Sequence, residues 1–433
     1  MMIDFIKKNK VLALLIFSIF VGSGFSYGKI YLLHIVVPIV IIYKLIQAQK
    51  LISKFFNRFY FPIYLFYLLV VISSLINGLN LHWLAFYILS FLIYVSIVLF
   101  TDEIKSDFNR IVQYILALVS VDLIIGSLEV VSSFRYPISR YSRLNHYFKR
   151  SDFLVDQPEC TDVNYLLSSP TGFHWNPNDF SLVLLLAGLF TSFIKNTFFK
   201  WSIRILMFSL ILSAGARLGV YLMTLYLITS IVLEIRESKI WIITVLTFIS
   251  FIYTDGFYVF PTGSKKVKEI ALISNSEFPS RFPEHCGDDE KIKSEGMRKD
   301  LLYRGLEKIT ESPIIGGGAG SFSNYLEEEK RRGSLSHGIT SSHNFIVELL
   351  VDFGVLIFIP FYWLLYMVFK RSNQLNDKHS ILLIMFTFSM PVFMVMSSSL
   401  VYFPPFYLIL FITIIYTVNK LSGFKFIPDS KAY

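Results

Sequence analysis

Apolar runs long enough to cross a lipid bilayer recur along nearly the whole of this 433-residue chain. A bilayer's hydrocarbon core is about 30 Å thick, which a helix crosses in roughly 20 residues. The runs are continuously apolar and do not alternate with polar residues, so they predict helices and not barrel strands. They cover approximately 11–28, 30–47, 60–78, 82–100, 110–132, 179–195, 200–213, 218–234, 239–255, 345–369, 380–397 and 401–419.

The composition agrees with this reading, because 54% of the residues are hydrophobic and 17% are aromatic. Such proportions are typical of a polytopic membrane protein and not of a soluble enzyme. We therefore predict an all-α polytopic membrane protein with about twelve transmembrane helices, in which residues 1–433 form a single integral membrane domain.

The net charge of +9 is explained by topology and does not call for a nucleic-acid partner. With the amino terminus placed in the cytoplasm, twenty Lys and Arg residues fall in the connections on the cytoplasmic side. The short turns on the other side of the membrane contain Lys29 and Arg217. Positive residues concentrate on the cytoplasmic side of membrane proteins. Both termini are thus predicted to be cytoplasmic, and the first apolar run is predicted to be an uncleaved helix.

Two polar segments on the predicted outer side, about 133–178 and 256–344, are too long to be simple connectors. Loops of this size are usually functional or disordered. In the second loop, residues 297–310 predict an amphipathic helix over the membrane domain, with Leu301, Leu302, Leu306 and Ile309 on one face. Pro313 is predicted to end it, residues 316–320 to form a tight glycine turn, and 322–332 to form a second helix.

His343 is the leading catalytic candidate, because it stands where this polar loop meets an apolar run. An imidazole titrates near neutrality and can accept a proton from a hydroxyl nucleophile. The alternative is a histidine that anchors a helix end. Asn344 beside it fits either role, since it can cap the helix or orient the ring.

Three arginines are candidates for binding an anionic head group. Arg217 lies in a very short turn between two apolar runs, where an unpaired charge is costly and a functional role is favoured over snorkelling. Arg298 and Arg304 flank the predicted amphipathic helix, although a solvated basic face also explains them. A guanidinium fork suits phosphate oxygens.

Several other residues are supporting candidates. Glu348 and Asp352 are one helical turn apart in an apolar run, and carboxylates there usually face a protein interior or a wet cavity. Gly318, in the glycine cluster, either approaches a substrate with its backbone or only forms a turn. The pair 174–175 could supply a sugar platform or an interfacial anchor.

The cysteines, Cys160 and Cys286, fall one in each polar loop. They either form a disulfide between the loops or are two free thiols. No metal-ligand spacing is present, and no metal or other cofactor is predicted.

These motifs resemble the O-antigen ligase and polymerase superfamily. The segments that carry the resemblance are 313–322, the pair His343–Asn344 followed by Gly354, the turn 213–219, and the Gly-x-x-x-Asn-Pro-Asn entry to a helix that ends at Asn178. The resemblance covers the whole twelve-span plan and is most specific from Arg298 to Gly354.

The resemblance implies an inverting, metal-independent glycosyltransferase of GT-C-like architecture at the periplasmic face of the bacterial inner membrane. Its donor would be an oligosaccharide on undecaprenyl diphosphate, with membrane lipid around it and a chain-length regulator as a further partner. His343 would be the general base, while Arg217 and Arg298 would bind the departing diphosphate. Arginines can stabilise that charge without a metal.

Three functions stay open at this level. The family's ligases commonly repeat a glycine three positions after the one matched by Gly354, and Ile357 stands there, which favours a polymerase. A ligase acting on the lipid A core uses the same donor. A flippase is less favoured, because no half-to-half symmetry is evident among the spans.

Overall fold

The structure is a computed structural model that describes residues 2–28, 30–47, 55, 57–132, 134–139, 142, 144–148, 169–234, 294–334, 344–372, 386, 389–390, 393–394, 400 and 403–422. It is mostly helical, at 80%. The described helices are α1 (Met2–Lys8), α2 (Lys10–Phe20), α3 (Leu32–Gln47), α4 (Phe61–Ile76), α5 (Leu81–Val98), α6 (Thr101–Val131), α7 (Pro177–Gly188), α8 (Thr197–Ser213), α9 (Arg217–Glu234), α10 (Ser294–Glu311), α11 (Ser321–Arg331), α12 (Phe345–Phe353), α13 (Phe358–Ser372) and α14 (Pro404–Ser422).

Short elements join or extend these helices. Two-residue strands, β1 (Ser26–Tyr27) and β2 (Ile30–Tyr31), pair antiparallel around the turn at Gly28. The 3-10 turns are Gly22–Gly24, Arg58–Tyr60, Asn145–Phe148, Leu189–Phe193 and Val355–Ile357. The prediction of an all-α chain therefore holds for the described residues apart from this small hairpin.

The protein is an integral membrane protein with apolar helices. Within the described residues, α5 and α6 are each long and apolar enough to cross a membrane, and the bent pair α12 and α13 brings the number to three if it counts as one span. The twelve-span plan stays a prediction. The predicted run 239–255 and most of 380–397 lie outside the described residues.

Helix α14 lies inside the bundle and packs against α5, α6 and α2. It is apolar on every side, as expected of a helix surrounded by other helices. Its Tyr416 ring stacks on Phe108 of α6 with centroids 3.7 Å apart, and its Phe411 ring meets Tyr94 of α5 at 5.1 Å. These aromatic contacts join α14 to α5 and α6 in the middle of the bundle.

The predicted apolar run 345–369 is not one straight helix. The chain bends by 118° between α12 and the helix that follows it. Gly354 makes the break, with φ 67° and ψ −170°, a backbone region open essentially to glycine alone. Helix α12 has nine residues, about 13 Å in length, and does not cross the bilayer alone.

The two helices predicted in the second polar loop are confirmed as α10 and α11, but the predicted apolar face of α10 is only partly correct. Leu301 is buried with Phe322 of α11 and Val347 of α12. Leu302 and Leu306 are 39% and 49% exposed. The inner face is centred on Leu301 and Gly305, where a Cβ on Gly305 would come within 2.2 Å of Val347 Cγ1.

We expect Gly354→Ala to lower the free energy of unfolding by more than about 3 kcal/mol, because a disfavoured backbone conformation and a steric clash add together. The added Cβ would lie 2.3 Å from the carbonyl carbon of Ile314. Gly333→Ala is the matched control, since Gly333 has φ 73° and open space around it; its cost should be about 1 kcal/mol. Thermal unfolding of the detergent-solubilised variants compares them, and equal losses would contradict the break assigned to Gly354.

Candidate functional site

The glycine cluster forms a turn that links α10 to α11 and lies against the end of α12. The Gly317 amide donates to the Val351 carbonyl at 2.9 Å, and the Gly318 amide donates to the Asp352 carbonyl at 2.7 Å. Gly316, Gly318 and Gly320 all have φ between 66° and 86°. The backbone therefore docks by its own hydrogen bonds, as the predicted tight turn requires.

Because glycine has no side chain, the backbone of this turn can lie close to α12 and α5. A Cβ on Gly316 would lie 2.3 Å from the carbonyl carbon of Asp352, and a Cβ on Gly320 would lie 2.0 Å from Cγ of Trp83. Trp83 belongs to α5, and its indole Nε1 donates to Asn324 Oδ1 on α11 at 3.2 Å. The turn is thus enclosed between α12 and α5.

Asp352 accepts hydrogen bonds at the start of α11. Its side chain is almost fully buried, with Oδ2 accepting from the Gly320 amide at 2.8 Å and Oδ1 from the Phe322 amide at 3.0 Å. The first amides of a helix have no partners within the helix, and the helix dipole favours an anion there. Asp352 therefore faces the protein interior, as predicted, and holds the second helix of the polar loop in place.

The end of α4 holds the same turn from the membrane bundle. Ser73 Oγ donates to the Ile315 carbonyl at 2.6 Å, and Asn77 Nδ2 donates to the Gly316 carbonyl at 3.0 Å. Ser74 Oγ accepts from the Ala319 amide at 3.2 Å. These contacts join residues more than 230 positions apart in sequence, so the polar loop is attached to the bundle at a defined place.

Asn344 caps α12, which is one of the two roles open to it from the sequence. Its Oδ1 accepts from the amides of Ile346 at 3.1 Å and Val347 at 3.3 Å. Glu348 follows one turn later and is 4% exposed, close enough to Asp352 and Tyr407 to interact with both electrostatically. A buried acidic pair thus lies along the helix that begins at the candidate site.

The main candidate residues are only partly covered by the described structure. His343 lies outside the described residues, as do Cys160 and Cys286. Arg217 is the first residue of α9, and Arg298 lies in the second turn of α10. Their backbones are described, whereas their side chains are not.

Arg304 is engaged with neighbouring carboxylates. Its Nε donates to Asp300 at 3.0 Å, its Nη1 to Glu329 at 3.0 Å and its Nη2 to the Ser334 carbonyl at 2.8 Å. Although partial burial opposes it, the hydrogen bond to Asp300 raises the pKa of Arg304. The Ser334 hydroxyl and then Arg304 lower the pKa of Glu329. In this structure Arg304 joins α10 to α11.

A second buried acidic cluster was not among the sequence candidates. Glu129 of α6 accepts from the amides of Thr171 at 2.6 Å and Gly172 at 2.8 Å. Asp122, two turns earlier on α6, accepts from the Phe173 amide at 2.8 Å and pairs with His174 Nε2 at 3.0 Å. The sequence did contain a signal for Asp122 and Glu129, because a carboxylate inside an apolar run usually faces the protein interior or a wet cavity.

This cluster bears on the hypothesis that the pair 174–175 supplies a sugar platform. His174 is 2% exposed, so its ring is not an open sugar platform. Asn176 caps α7 through the Asp179 amide at 2.9 Å, and Asn178 lies in the first turn of that helix. The Asn-Pro-Asn motif therefore starts a helix, as its resemblance to the family implied.

Two comparisons with known proteins show what this chain is similar to. A family model described as O-Antigen ligase matches residues 202–362. The chain is also 23% identical over 292 residues to the teichuronic acid biosynthesis protein TuaE of Bacillus subtilis (strain 168). That alignment covers 62% of this chain and 54% of the relative, so the chain spans about half the length of the curated relative it matches.

The fold and the site define a helical integral membrane protein in which a polar segment is fixed to one end of the bundle by a glycine turn and a buried carboxylate. The two matches confirm the resemblance predicted from the sequence, and the chain is similar to the O-antigen ligase and polymerase superfamily. They support a membrane enzyme of polysaccharide biosynthesis.

We expect Asp352→Ala to loosen the polar segment, because two buried amides at the start of α11 lose their acceptor. Leaving a buried hydrogen-bond donor without its acceptor costs about 1–3 kcal/mol. Limited proteolysis of the membrane-embedded protein should therefore cut within 294–334 much faster in this variant. Asp300→Ala removes a partly exposed carboxylate of the same segment and should change the rate little. Equal rates in both variants would contradict the role given to Asp352.

Proposed function

We propose that this chain is a surface-polysaccharide polymerase that joins repeat units carried on undecaprenyl diphosphate. The observation that carries the proposal is the extent of the family match. Residues 202–362 include Arg217, Arg298, the glycine turn and His343. The described part of this segment is joined to the bundle by Ser73, Asn77 and Trp83.

In the proposed reaction, His343 accepts the proton of the acceptor hydroxyl as that oxygen attacks the anomeric carbon of the donor sugar. The new glycosidic bond forms on the opposite face from the breaking bond between the anomeric carbon and the phosphate oxygen, which inverts the configuration. The diphosphate leaves with the bonding electrons. Arg217 and Arg298 stabilise its negative charge, so this reaction needs neither a metal nor another cofactor.

The supporting residues have separate proposed roles. Asn344 and Glu348 shape the start of α12 beside His343, while Asp352 and Gly318 hold the glycine turn. Asn178 starts α7, which packs against α9, the helix that begins at Arg217. Arg304 is the weakest of the three arginine candidates for the diphosphate, because two carboxylates already share its guanidinium.

The proposal includes a location and partners. The enzyme lies in the bacterial inner membrane with both termini in the cytoplasm and the active site on the periplasmic side. About twelve spans carry two long periplasmic loops, 133–178 and 256–344, with the disulfide between Cys160 and Cys286 as one option. The lipid-linked oligosaccharide is the substrate, and a chain-length regulator is a further partner.

A ligase is the second candidate, because the matching family is described as O-Antigen ligase. It would transfer the same lipid-linked glycan to the lipid A core. The curated relative is named for teichuronic acid biosynthesis and supports polysaccharide biosynthesis in general. We favour the polymerase because Ile357 replaces the second glycine of the ligase signature, and in the structure this side chain is fully buried.

We expect His343→Ala and Arg217→Ala each to abolish long chains in a strain that carries the variant as its sole copy. Loss of a general base costs about 10²–10⁴-fold in rate, enough to prevent repeated addition. Gel analysis of surface polysaccharide gives the readout, and immunoblotting of membranes confirms that each variant is present. Phe198→Ala, at an 84% exposed position, is the control. Normal chain length in either site variant would refute its proposed role.

Deletion of the gene separates the two candidate functions. A strain without a polymerase should show single repeat units attached to the lipid A core. A strain without a ligase should show a bare core and polymer retained on the carrier lipid. The second pattern would replace the polymerase proposal by the ligase, whereas complete absence of lipid-linked intermediates outside the cytoplasm would favour a flippase.

A further inference from the structure

The outer side of α10 carries exposed apolar side chains. Leu302 and Leu306, one turn apart, are 39% and 49% exposed, and Tyr303 beside them is 69% exposed. The inner side of the helix, around Leu301 and Gly305, packs against α11 and α12. The sequence placed Leu302 and Leu306 on one apolar face with Leu301, so their exposure leaves an apolar surface that the packing of α10 does not explain.

The exposed side of α10 has an apolar edge and an acidic edge. Successive residues of a helix are about 100° apart, which places Leu302 and Leu306 about 40° from each other. Glu307 and Glu311, both exposed, lie on the opposite edge, and Tyr303 lies between the two edges. A helix with apolar residues to one side and carboxylates to the other suits a boundary between lipid and water.

The chain that follows α10 joins it to the beginning of α13. The Val355 amide donates to the Pro313 carbonyl at 2.9 Å, and the Leu356 amide donates to the Ile314 carbonyl at 3.3 Å. Ile314 and Val355 are both more than half exposed. Two exposed apolar residues are therefore neighbours at the place where the end of the α10 segment meets α13.

The exposed row of α13 faces lipid. Helices α12 and α13 together are long and apolar enough for one bent span. Ile359, Tyr362 and Tyr366 follow Val355 at helical spacing, and each is more than half exposed. Exposed apolar surface of this extent on an integral membrane protein is in contact with the bilayer. The apolar surface that starts on α13 thus continues through Ile314 towards α10.

We propose that α10 is an interfacial helix whose edge of Leu302 and Leu306, together with Ile314, inserts into the bilayer at the boundary between head groups and acyl chains. Tyr303 lies at the level of the head groups, where amphipathic aromatic rings are favoured. The acidic edge faces water. Lipid then holds the polar segment from outside, as the glycine turn holds it from inside. This contact goes beyond the proposed function, because it does not depend on the reaction.

The charges of α10 favour lipid over a charged partner. The helix has four basic and four acidic residues and a formal charge of zero: Arg298, Lys299, Arg304, Lys308, Glu295, Asp300, Glu307 and Glu311. Arg304 and Lys308 are paired with carboxylates of the same segment. Partners that bind by charge recognise a surface of the opposite sign. A neutral helix with an apolar edge instead binds by burying that edge.

Site-specific photo-crosslinking tests this contact on the full-length protein in phosphatidylcholine nanodiscs. p-Benzoylphenylalanine replaces Leu302, Leu306 or Glu307 in turn, and mass spectrometry measures the phospholipid adduct after illumination. We expect yields at Leu302 and Leu306 about tenfold above the yield at Glu307, because acyl chains are within reach of the inserted edge only. Ile359 on α13 is the positive control. All four positions are exposed, so the larger side chain leaves the core unchanged.

Other occupants of this edge would give different products. A covalent dimer of this chain, in place of the lipid adduct, would show a second copy there and overturn the proposal. A crosslink to another protein in illuminated cells, in place of lipid, would overturn it as well. Equal lipid yields at Leu306 and Glu307 would also contradict it, because the contact would then have no preferred edge.

The unmodified protein gives a measurement that does not depend on any variant. Phosphatidylcholine with a trifluoromethylphenyl diazirine in one acyl chain should label the apolar edge of α10 and the exposed row of α13. Labelling of α13 without any labelling of residues 301–314 would overturn the proposal, even if a substituted protein had an altered thermal unfolding curve.

Lipid composition separates an apolar contact from an electrostatic one. Because the formal charge of α10 is zero, the yield at Leu306 should be the same in phosphatidylcholine with and without phosphatidylglycerol. A crosslink that forms only with phosphatidylglycerol would refute insertion of the apolar edge and would indicate binding of an anionic head group instead.

Discussion

The buried carboxylate of Asp352 connects the polar segment of this protein to its membrane bundle. It accepts the amides of Gly320 and Phe322 at the start of α11, while its own backbone carbonyl accepts from Gly318. The first amides of the helix here replace water as the hydrogen-bond partners of this buried side chain. This contact holds the glycine turn and the start of α11 together with the hydrogen bonds from Ser73, Ser74 and Asn77 of the bundle.

The break at Gly354 determines where α12 ends. The chain bends by 118° there, and beyond the break the Val355 amide donates to the Pro313 carbonyl at 2.9 Å. Helix α12 is therefore a short helix whose end lies against the glycine turn. Short and broken helices are how membrane proteins bring polar groups next to substrates inside an apolar body. The candidate site is therefore placed where the polar segment meets the membrane helices.

A similar solution occurs in the first polar segment, at the loop before α7. Glu129 and Asp122 hold the loop before α7 by accepting its backbone amides, and Gly172 permits the approach because a Cβ there would lie 2.0 Å from Asp122 Oδ1. In both places a buried acidic side chain organises a glycine-containing loop at a helix start. Such networks are costly when incomplete, so they define the loop conformation closely. Loops held in this way have a fixed conformation next to the membrane helices.

The sequence by itself determined the class of fold, the helices of the second polar segment and the turn between them. These follow from local rules: apolar length, the helix-ending proline and the glycine cluster. It also offered Asn344 as a helix cap, with orientation of the His343 ring as the alternative, and Asp352 as an acid facing the protein interior or a wet cavity. Only the tertiary structure decided that Leu301 and Gly305 form the inner face of α10, that Arg304 is shared by two carboxylates, and that His174 is buried against Asp122. The reason is physical: these outcomes depend on contacts between segments up to hundreds of residues apart, and periodicity along one segment does not specify which neighbour it meets.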